Sequence, residues 1–179
     1  MTEMDSCTRV LVTGASGLLG RQIMAEFASL PSFSPFGLCF SRPGPNLKKL
    51  DLTDEKATAD YFIQLKPQIV IHAAAQRFPD KVEKDYEAAL ELNVSVSRRL
   101  AVLCKELKAR LIYISTDYVF DGTAAPYSHL AAPKPANRYG ERIEGKCPHS
   151  ASGCVKEPKN TCFTFQLRGA LSCPHGRHC

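Results

Sequence analysis

The sequence predicts an α/β fold with a doubly wound parallel sheet, similar to the Rossmann fold, and three features lead to that prediction. A β-branched apolar run, 10–12, stops at a glycine-rich turn and is followed at once by a helix-forming segment, 21–27. Two further apolar runs, 69–75 and 110–115, have the character of strands buried on both faces. A helical pattern separates them, and strands that alternate with helices form parallel sheets through right-handed crossovers.

The glycine-rich turn is the predicted nucleotide site. Its glycines, Gly14, Gly17 and Gly20, have the spacing G-x-x-G-x-x-G. They allow a tight turn, a close approach of the backbone to a pyrophosphate, and close packing of the helix on the sheet. The helix N-terminus offers amide groups and the positive end of its dipole to phosphates. A purely structural strand–turn–helix is the alternative, but the position between a strand and a helix favours a dinucleotide.

The end of the second strand predicts which dinucleotide binds. A turn-rich break at 30–35 precedes a short strand at 36–40, and a third strand covers 47–52. In this fold an acidic residue after the second strand binds the ribose of NAD, whereas an arginine suits the 2′-phosphate of NADP. Arg42 occupies that place with no Asp or Glu nearby, which favours NADP(H). The alternative is an ordinary solvated loop arginine.

Two helices are predicted between the remaining strands. Thr53 or Asp54 caps the first, which runs to about Leu65 and stops before Pro67. The second covers 86–107, and its buried face is formed by apolar residues at helical spacing, namely Ala89, Leu92, Val96, Leu100 and Leu103.

Two polar residues within these elements have alternative interpretations. His72, in the fourth strand, is either a chemical group or a core histidine with satisfied hydrogen bonds, and the second interpretation is favoured. Asn93, on the long helix, either braces a backbone group of the site with its amide or is an exposed helix residue.

Composition places the chain among globular proteins of one domain. It has 179 residues, 44% hydrophobic and 23% charged, with a net charge of +5. No segment has the apolar length of a membrane span, and the polar start does not resemble a signal peptide. No basic stripe is interleaved with aromatic residues, so nucleic-acid binding is not expected. We therefore expect a cytoplasmic protein without nucleic-acid or membrane partners.

The cysteines are concentrated at the end of the chain. Five of the eight lie in 147–179, a segment without periodicity apart from a short strand pattern at 163–167. A reducing compartment keeps such thiols free of disulfides. Zinc is the alternative because Cys147 and Cys173 each precede a Pro-His pair, but the spacing fits no common zinc finger. We predict no metal site.

Four motifs carry a family resemblance. They are T-G-A-S-G-L-L-G at 13–20, H-A-A-A at 72–75, I-S-T-D-Y-V-F-D-G at 114–122 and Y-G at 139–140. Together they resemble the extended short-chain dehydrogenase/reductase superfamily, and more narrowly the dTDP-4-dehydrorhamnose reductases. The segments 75–80 and 111–122 are most similar to the branch that contains the beta subunits of methionine adenosyltransferase. The resemblance covers roughly residues 8–146.

The resemblance implies an extended cofactor site. In addition to Gly14 and Gly20, it implies that NADP lies against Ser16, Gly17, Leu18, Leu19, Phe40, Ser41, Arg42, Asp51, Leu52, Ala73, Arg77 and Tyr139.

The resemblance also implies a catalytic set that this chain matches only in part. The reductases use a Ser or Thr, a Tyr, and a Lys four residues after the Tyr. Thr116 and Tyr139 match the first two, but Ile143 stands at the lysine position. The lysine ammonium lowers a phenol pKa whose reference is about 10. Arg142 shares that helix face but has a bulkier, forked head. We expect a vestigial set without efficient hydride transfer.

The division of the chain and its function follow from these points. We expect an NADP-binding domain at 8–146 and a Cys-rich tail at 147–179, without the family's C-terminal substrate domain, as in a truncated or alternatively spliced form. The function expected first is a regulatory, non-catalytic subunit for the catalytic subunit of methionine adenosyltransferase, in S-adenosylmethionine synthesis. Part of its docking contacts would be missing with the C-terminus. The alternatives are an NADP(H)-dependent reductase of a dTDP-4-keto sugar and an inactive isoform.

Overall fold

The computed structural model describes residues 7–76, 85–124, 126–127, 131–132 and 134–135, together with the backbone of 163–165. Six parallel strands form one sheet, and their spatial order is 3-2-1-4-5-6. The strands are β1 Thr8–Thr13, β2 Phe33–Cys39, β3 Leu47–Lys49, β4 Ile69–His72, β5 Arg110–Ile114 and β6 Phe163–Phe165. This order is the one found in dinucleotide-binding folds, and the predicted doubly wound sheet is confirmed.

Three helices connect the strands in the described part of the chain. They are α1 Leu18–Ala28, α2 Glu55–Leu65 and α3, which comprises α-helical Tyr86–Leu90, π-helical Glu91–Ser95 and α-helical Val96–Glu106. A 3₁₀ turn, Asp117–Val119, follows β5. The sequence predicts a regular helix over 86–107, and the π-helical turn in its middle is a correction. Such turns occur mostly as single insertions in α-helices, frequently at functional sites.

Helix α2 begins and ends at local capping signals. The carboxylate of Asp54 accepts a hydrogen bond from the Ala57 amide at 2.9 Å, so Asp54 and not Thr53 is the N-cap. Lys66 ends the helix in the left-handed conformation, with φ 48°, and Pro67 follows. The predicted boundaries of this helix are confirmed.

The sheet is buried on both faces. Leu11 and Val70 point to the face covered by α2 and α3, where Phe62 and Leu100 complete the core. Val10, Val12, Ala15 and Ile71 form the core on the opposite face, against α1. Because neighbouring residues of a strand point to opposite faces, an unbroken apolar run is what a doubly covered strand requires.

Strands β2 and β3 differ from their predicted extents. Strand β2 begins at Phe33, inside the segment predicted as a turn-rich break, and includes Pro35. Pro35 is tolerated because β3 pairs only with Gly37–Cys39, so no ladder on that side needs a proline amide. Strand β3 ends at Lys49 and not at residue 52, because the chain turns at Asp51, whose carboxylate accepts a hydrogen bond from the Thr53 amide.

Strand β6 lies within the Cys-rich segment and pairs with β5, with Phe163 opposite Ile112 and Phe165 opposite Ile114. The strand predicted at 163–167 is thus confirmed over its first three residues. The domain boundary at residue 146 stays a prediction. Among the described residues, Cys7, Cys39 and Cys104 are not in disulfides, and no group of side chains suits a metal ion. In the same part of the chain, no helix has the length and apolar character needed to span a membrane.

Candidate dinucleotide-binding site

The glycine turn connects β1 to α1 at the carboxyl edge of the sheet. Gly14 has φ +67°, a conformation that side-chain-bearing residues rarely adopt. The amide of Gly17 donates a hydrogen bond to the Gly14 carbonyl at 2.9 Å, which closes the turn. Gly17 is the N-cap of α1, and because it has no side chain, no side-chain cap occupies the first amides of the helix. The first amides of α1 are therefore directed out of the helix, toward the edge where ligands bind in this fold.

The turn packs too closely on its surroundings to accept side chains. A Cβ atom at Gly14 would lie 2.8 Å from the Ala73 carbonyl oxygen and from the Ala74 nitrogen. A Cβ atom at Gly20 would collide with the Gly14 carbonyl oxygen. Gly14 and Gly20 thus let β1, the loop after β4 and α1 pack closely together at the ligand edge. The backbone of this turn and the first amides of α1, here called the cradle, fit the pyrophosphate of a dinucleotide.

The first turn of α1 favours an anion. It contains no acidic residue, and the positive end of the helix dipole lies there. Ser16 and Leu19 are half-buried beside it, whereas the Leu18 side chain is 77% exposed. The turn thus combines available backbone donors with an exposed apolar surface.

The chain beyond β2 lies next to the glycine turn, because the Ala15 amide donates a hydrogen bond to the Leu38 carbonyl at 2.9 Å. Phe40 is 66% exposed, and Ser41 and Arg42 are exposed as well. An aromatic ring and a guanidinium therefore flank the turn on the side where the adenosine half of a dinucleotide binds in this fold.

The segment after β3 offers less to a ligand than the resemblance implies. The carboxylate of Asp51 already accepts hydrogen bonds from the Thr53 amide and hydroxyl, at 2.9 and 2.7 Å. Leu52 is buried in the core, and its carbonyl accepts a hydrogen bond from Arg99 at 3.3 Å. At Leu52, only backbone groups are left for a cofactor to meet.

A buried hydrogen-bond chain lies beneath the turn. The Thr13 hydroxyl is 2.7 Å from Nδ1 of His72, and Nε2 of His72 is 3.0 Å from the Ser97 hydroxyl. The Ala74 amide donates to Thr13, and Ser97 donates to the Asn93 carbonyl. Burial lowers the pKa of His72 to about 4, so the ring is neutral near pH 7. His72 is thus a core histidine with satisfied hydrogen bonds, as favoured above.

Asn93 braces the loop that leaves β4. Its side-chain oxygen accepts a hydrogen bond from the Gln76 amide at 2.8 Å, and its side-chain nitrogen donates to the Gln76 carbonyl at 3.0 Å. Asn93 is buried and lies within the π-helical turn of α3. Of the two interpretations from sequence, the brace is confirmed.

Thr116 lies two residues beyond the end of β5, at the same edge as Ala73. The register pairs His72 with Tyr113, so the residues that follow each strand leave the sheet side by side. The Thr116 hydroxyl accepts a hydrogen bond from the Tyr118 amide at 3.3 Å. The edge thus brings together the glycine turn, Ala73 and Thr116.

Sequence and structure comparisons identify the family of the chain. The family model of the RmlD substrate binding domain matches residues 8–145. The chain belongs to this family. Methionine adenosyltransferase 2 subunit beta of Xenopus laevis is 44% identical over 139 residues, which make up 77% of this chain and 41% of that protein.

Two of the solved structures that share the fold are dTDP-4-dehydrorhamnose reductases by name. A hypothetical dTDP-4-dehydrorhamnose reductase of Sulfolobus tokodaii has a TM-score of 0.71 at 34% identity, over 76% of this chain and 49% of that chain. The dTDP-4-dehydrorhamnose reductase of Bacillus anthracis, solved in complex with NADP, has a TM-score of 0.66 at 31% identity, over 76% and 46%. The chain spans less than half of each of these three proteins. The predicted resemblance is confirmed.

The segment T-D-Y-V-F-D-G, 116–122, opens a loop that is organised around Asp121. The Asp121 carboxylate accepts hydrogen bonds from Thr123 and Tyr127. It also forms an ion pair with Lys134 at 2.9 Å. The Thr123 amide is the main cause of an Asp121 pKa well below its usual range, and Lys134 adds to it. The Tyr127 ring stacks on Phe120 with ring centres 4.2 Å apart. These contacts join residues 120–134 of the loop after β5 to one another.

Three residues implied by the family resemblance lie outside the described residues. They are Arg77, expected at the cofactor, and the pair Tyr139 and Arg142, expected in the catalytic set. Their roles stay predictions.

Two features of the site were not found from sequence. The first is the chain of hydrogen bonds through Thr13, His72 and Ser97. Thr13 and His72 stand opposite each other in the β1–β4 register, so a register argument could have found this pair. The second is Arg99, which joins Glu91 at 2.7 Å and the Leu52 carbonyl, and no sequence pattern signals that bridge.

Replacing Asn93 by alanine is expected to lower the free energy of unfolding by about 1–3 kcal/mol, because two half-buried backbone groups of Gln76 lose their partner. Urea denaturation measures the loss. Gln64→Ala, an exposed helix residue of the same amide chemistry, is the control and should change stability by less than about 0.5 kcal/mol. Equal losses in the two variants would contradict the brace.

Proposed function

We propose that this chain is an NADP(H)-binding, non-catalytic regulatory protein of methionine adenosyltransferase, acting in S-adenosylmethionine synthesis. The observation that carries the proposal is the backbone cradle at Gly14, Gly17 and Gly20, at the N-terminus of a helix without first-turn acids. Such a cradle suits a pyrophosphate, because the backbone amides at the start of the helix and the positive end of its dipole are available to an anion. The cysteine usage fits a reducing compartment, and we place the protein in the cytoplasm.

Arg42 supports NADP as the preferred cofactor. It is exposed beside the glycine turn, at the end of β2, where the 2′-phosphate of NADP lies in this fold. The reductase from Bacillus anthracis, 31% identical, was solved with NADP. We assign the remaining contacts, several of them through backbone, to Ser16, Gly17, Leu18, Leu19, Phe40, Ser41, Asp51, Leu52, Ala73, Arg77 and Tyr139.

Removing the Arg42 guanidinium is expected to reduce NADPH affinity by about ten- to a hundredfold, since a hydrogen bond to a charged group is worth about 1.5–3 kcal/mol. NADH affinity should be unchanged in Arg42→Ala, because NADH has no 2′-phosphate. Isothermal titration with each cofactor measures both. Arg110→Ala is the control: that arginine is also exposed but begins β5, at the opposite edge of the sheet. A wild-type preference for NADH would refute the role of Arg42.

The regulatory role is supported by the likeness to the beta subunit and by the residue at the motif lysine position. The chain is 44% identical to the Xenopus laevis protein over the matched region. Ile143 carries no charge that could lower a tyrosine pKa, and Arg142 is a poor substitute for the missing lysine. Thr116, Tyr139 and Arg142 are thus assigned to a vestigial catalytic set.

Co-purification with the catalytic subunit of methionine adenosyltransferase tests the regulatory role. We expect the chain to bind that subunit and to change its kinetics. If the chain does neither, the regulatory role fails. A thermal-shift scan with NADPH and NADH decides the cofactor separately, so the two parts of the proposal fail independently. No stabilisation by either cofactor would favour an inactive isoform.

A reductase of a dTDP-4-keto sugar is the second candidate. It is favoured by the structural likeness to the Sulfolobus tokodaii protein and by the position of Thr116 beside the cradle. Oxidation of NADPH by the purified chain with a dTDP-4-keto sugar, above the rate without sugar, would favour this candidate and exclude the non-catalytic one.

A further inference from the structure

The hydrogen-bond chain under the glycine turn has only one consistent direction. The Asn93 carbonyl can only accept, so the Ser97 hydroxyl donates its proton there, at 2.9 Å. Ser97 then accepts from Nε2–H of His72, at 3.0 Å. Nδ1 of His72 is consequently bare and accepts from the Thr13 hydroxyl, at 2.7 Å. Thr13 in turn accepts from the Ala74 amide, at 3.3 Å, and each proton is used once.

This series of hydrogen bonds joins parts of the site that are far apart in sequence. Thr13 immediately precedes Gly14, and Ala74 is in the loop that leaves β4. The same two parts nearly touch at Gly14, where a Cβ atom would lie 2.8 Å from Ala73 and Ala74 backbone atoms. On the other side, Ser97 and Asn93 belong to α3. His72 is fully buried between them, with Tyr113 as its aromatic neighbour at 5.7 Å.

We propose that His72 is a positioning residue of the nucleotide site: as the neutral Nε2–H tautomer, it accepts the Thr13 hydroxyl proton and so leaves a lone pair of Thr13 for the Ala74 amide, which joins the glycine turn to the loop after β4. The site it serves is the one in the proposed function. The imidazole accepts a hydrogen bond at Nδ1 and donates one at Nε2, so it connects the Thr13 hydroxyl to the Ser97 hydroxyl through its ring. Its low pKa agrees with a ring that stays neutral, because burial disfavours the cation.

Nitrogen NMR of the full chain tests the tautomer without any cofactor. We expect the His72 signals of a bare Nδ1 and a protonated Nε2. In Ser97→Ala, Nε2–H loses its acceptor, and the Nδ1–H form should become populated, whereas Ser97→Thr keeps the hydroxyl and the wild-type signals. An Nδ1–H tautomer in the wild-type protein would overturn the proposal.

Amide hydrogen exchange tests the positioning. In Thr13→Val, the Ala74 amide loses its acceptor and should exchange about tenfold faster, while the Gln76 amide, held by Asn93, is the internal reference. Thr13→Ser should restore the wild-type rate. Thr58→Val is the matched control, because the buried Thr58 hydroxyl has no hydrogen-bond partner among the described residues. Equal exchange of Ala74 in Thr13→Val and Thr58→Val would overturn the proposal.

Cofactor titration of the same variants separates this inference from the proposed function. If the wild type binds NADPH, Thr13→Val should bind about tenfold more weakly, and Thr13→Ser and Thr58→Val as well as the wild type. Unchanged affinity in Thr13→Val would overturn the positioning of the nucleotide site. If the wild type binds no nucleotide, the proposed function fails, and the tautomer measurement still decides whether His72 orients the Thr13 hydroxyl, while the exchange measurement decides whether Thr13 holds the loop.

Discussion

Gly14→Ala is expected to abolish NADPH binding and to lower the free energy of unfolding by about 2–4 kcal/mol. Two effects add. An alanine in the left-handed conformation at φ +67° costs about 1–2 kcal/mol. Its Cβ would also lie 2.8 Å from the Ala73 oxygen and the Ala74 nitrogen, and backbone cannot move aside as a flexible side chain can. Pushing the turn away from the loop after β4 disrupts the cradle that would receive the pyrophosphate.

Gly122→Ala separates the two effects. Gly122 also has a positive φ, +79°, but a Cβ atom there would meet nothing within 4 Å. This variant should show the conformational cost alone, about 1–2 kcal/mol in urea denaturation, and should bind NADPH like the wild type. If Gly14→Ala were no less stable than Gly122→Ala and still bound NADPH, the turn would not be the nucleotide site.

Phe62→Ala is expected to destabilise the protein by about 3–5 kcal/mol, the range for a large side chain removed from a packed core. Phe62 is 0% exposed and packs with Leu11, Val70 and Leu100 between α2 and the sheet. Leu52 belongs to the same cluster, so the loss also loosens the segment that leads from β3 to α2. Urea denaturation measures the change, and we expect a lower urea concentration at the midpoint with an unchanged m value.

Ile63→Ala is the control for Phe62→Ala. Ile63 is the next residue in the same helix and is 58% exposed, so its truncation should change stability by less than about 0.5 kcal/mol. A large loss at Ile63 would mean that α2 presents another face to the sheet. A small loss at Phe62 would contradict the core described here.

The elements that were predicted correctly have short-range causes. Asp54 caps α2 through a carboxylate three residues from the amide that it binds, and Pro67 limits the helix at the other end. The glycine turn likewise depends on residues that are neighbours in sequence. The alternation of apolar strands and amphipathic helices leaves few ways to bury both faces of a sheet, so the doubly wound parallel sheet follows as well.

The elements that were missed depend on contacts between distant segments. Pro35 is typical of a turn, yet it lies in β2 and pairs with β1. Strand β3 is too short to reach Pro35, so the missing amide leaves no gap in a ladder on that side. The π-helical turn in α3 follows no periodicity in the sequence, and its Asn93 meets a partner 17 residues away. Propensity and spacing describe a segment by itself and carry no information about such partners.

By itself the sequence determined the sheet, the cradle of glycines, the arginine beside it and the family, because each depends on local spacing or on motifs in a fixed order. Only the tertiary structure decided what the buried polar groups do. His72 is joined to Thr13 and Ser97 because hydrogen-bonding groups removed from water must find partners, and which partners are within reach is set by how the strands and α3 pack.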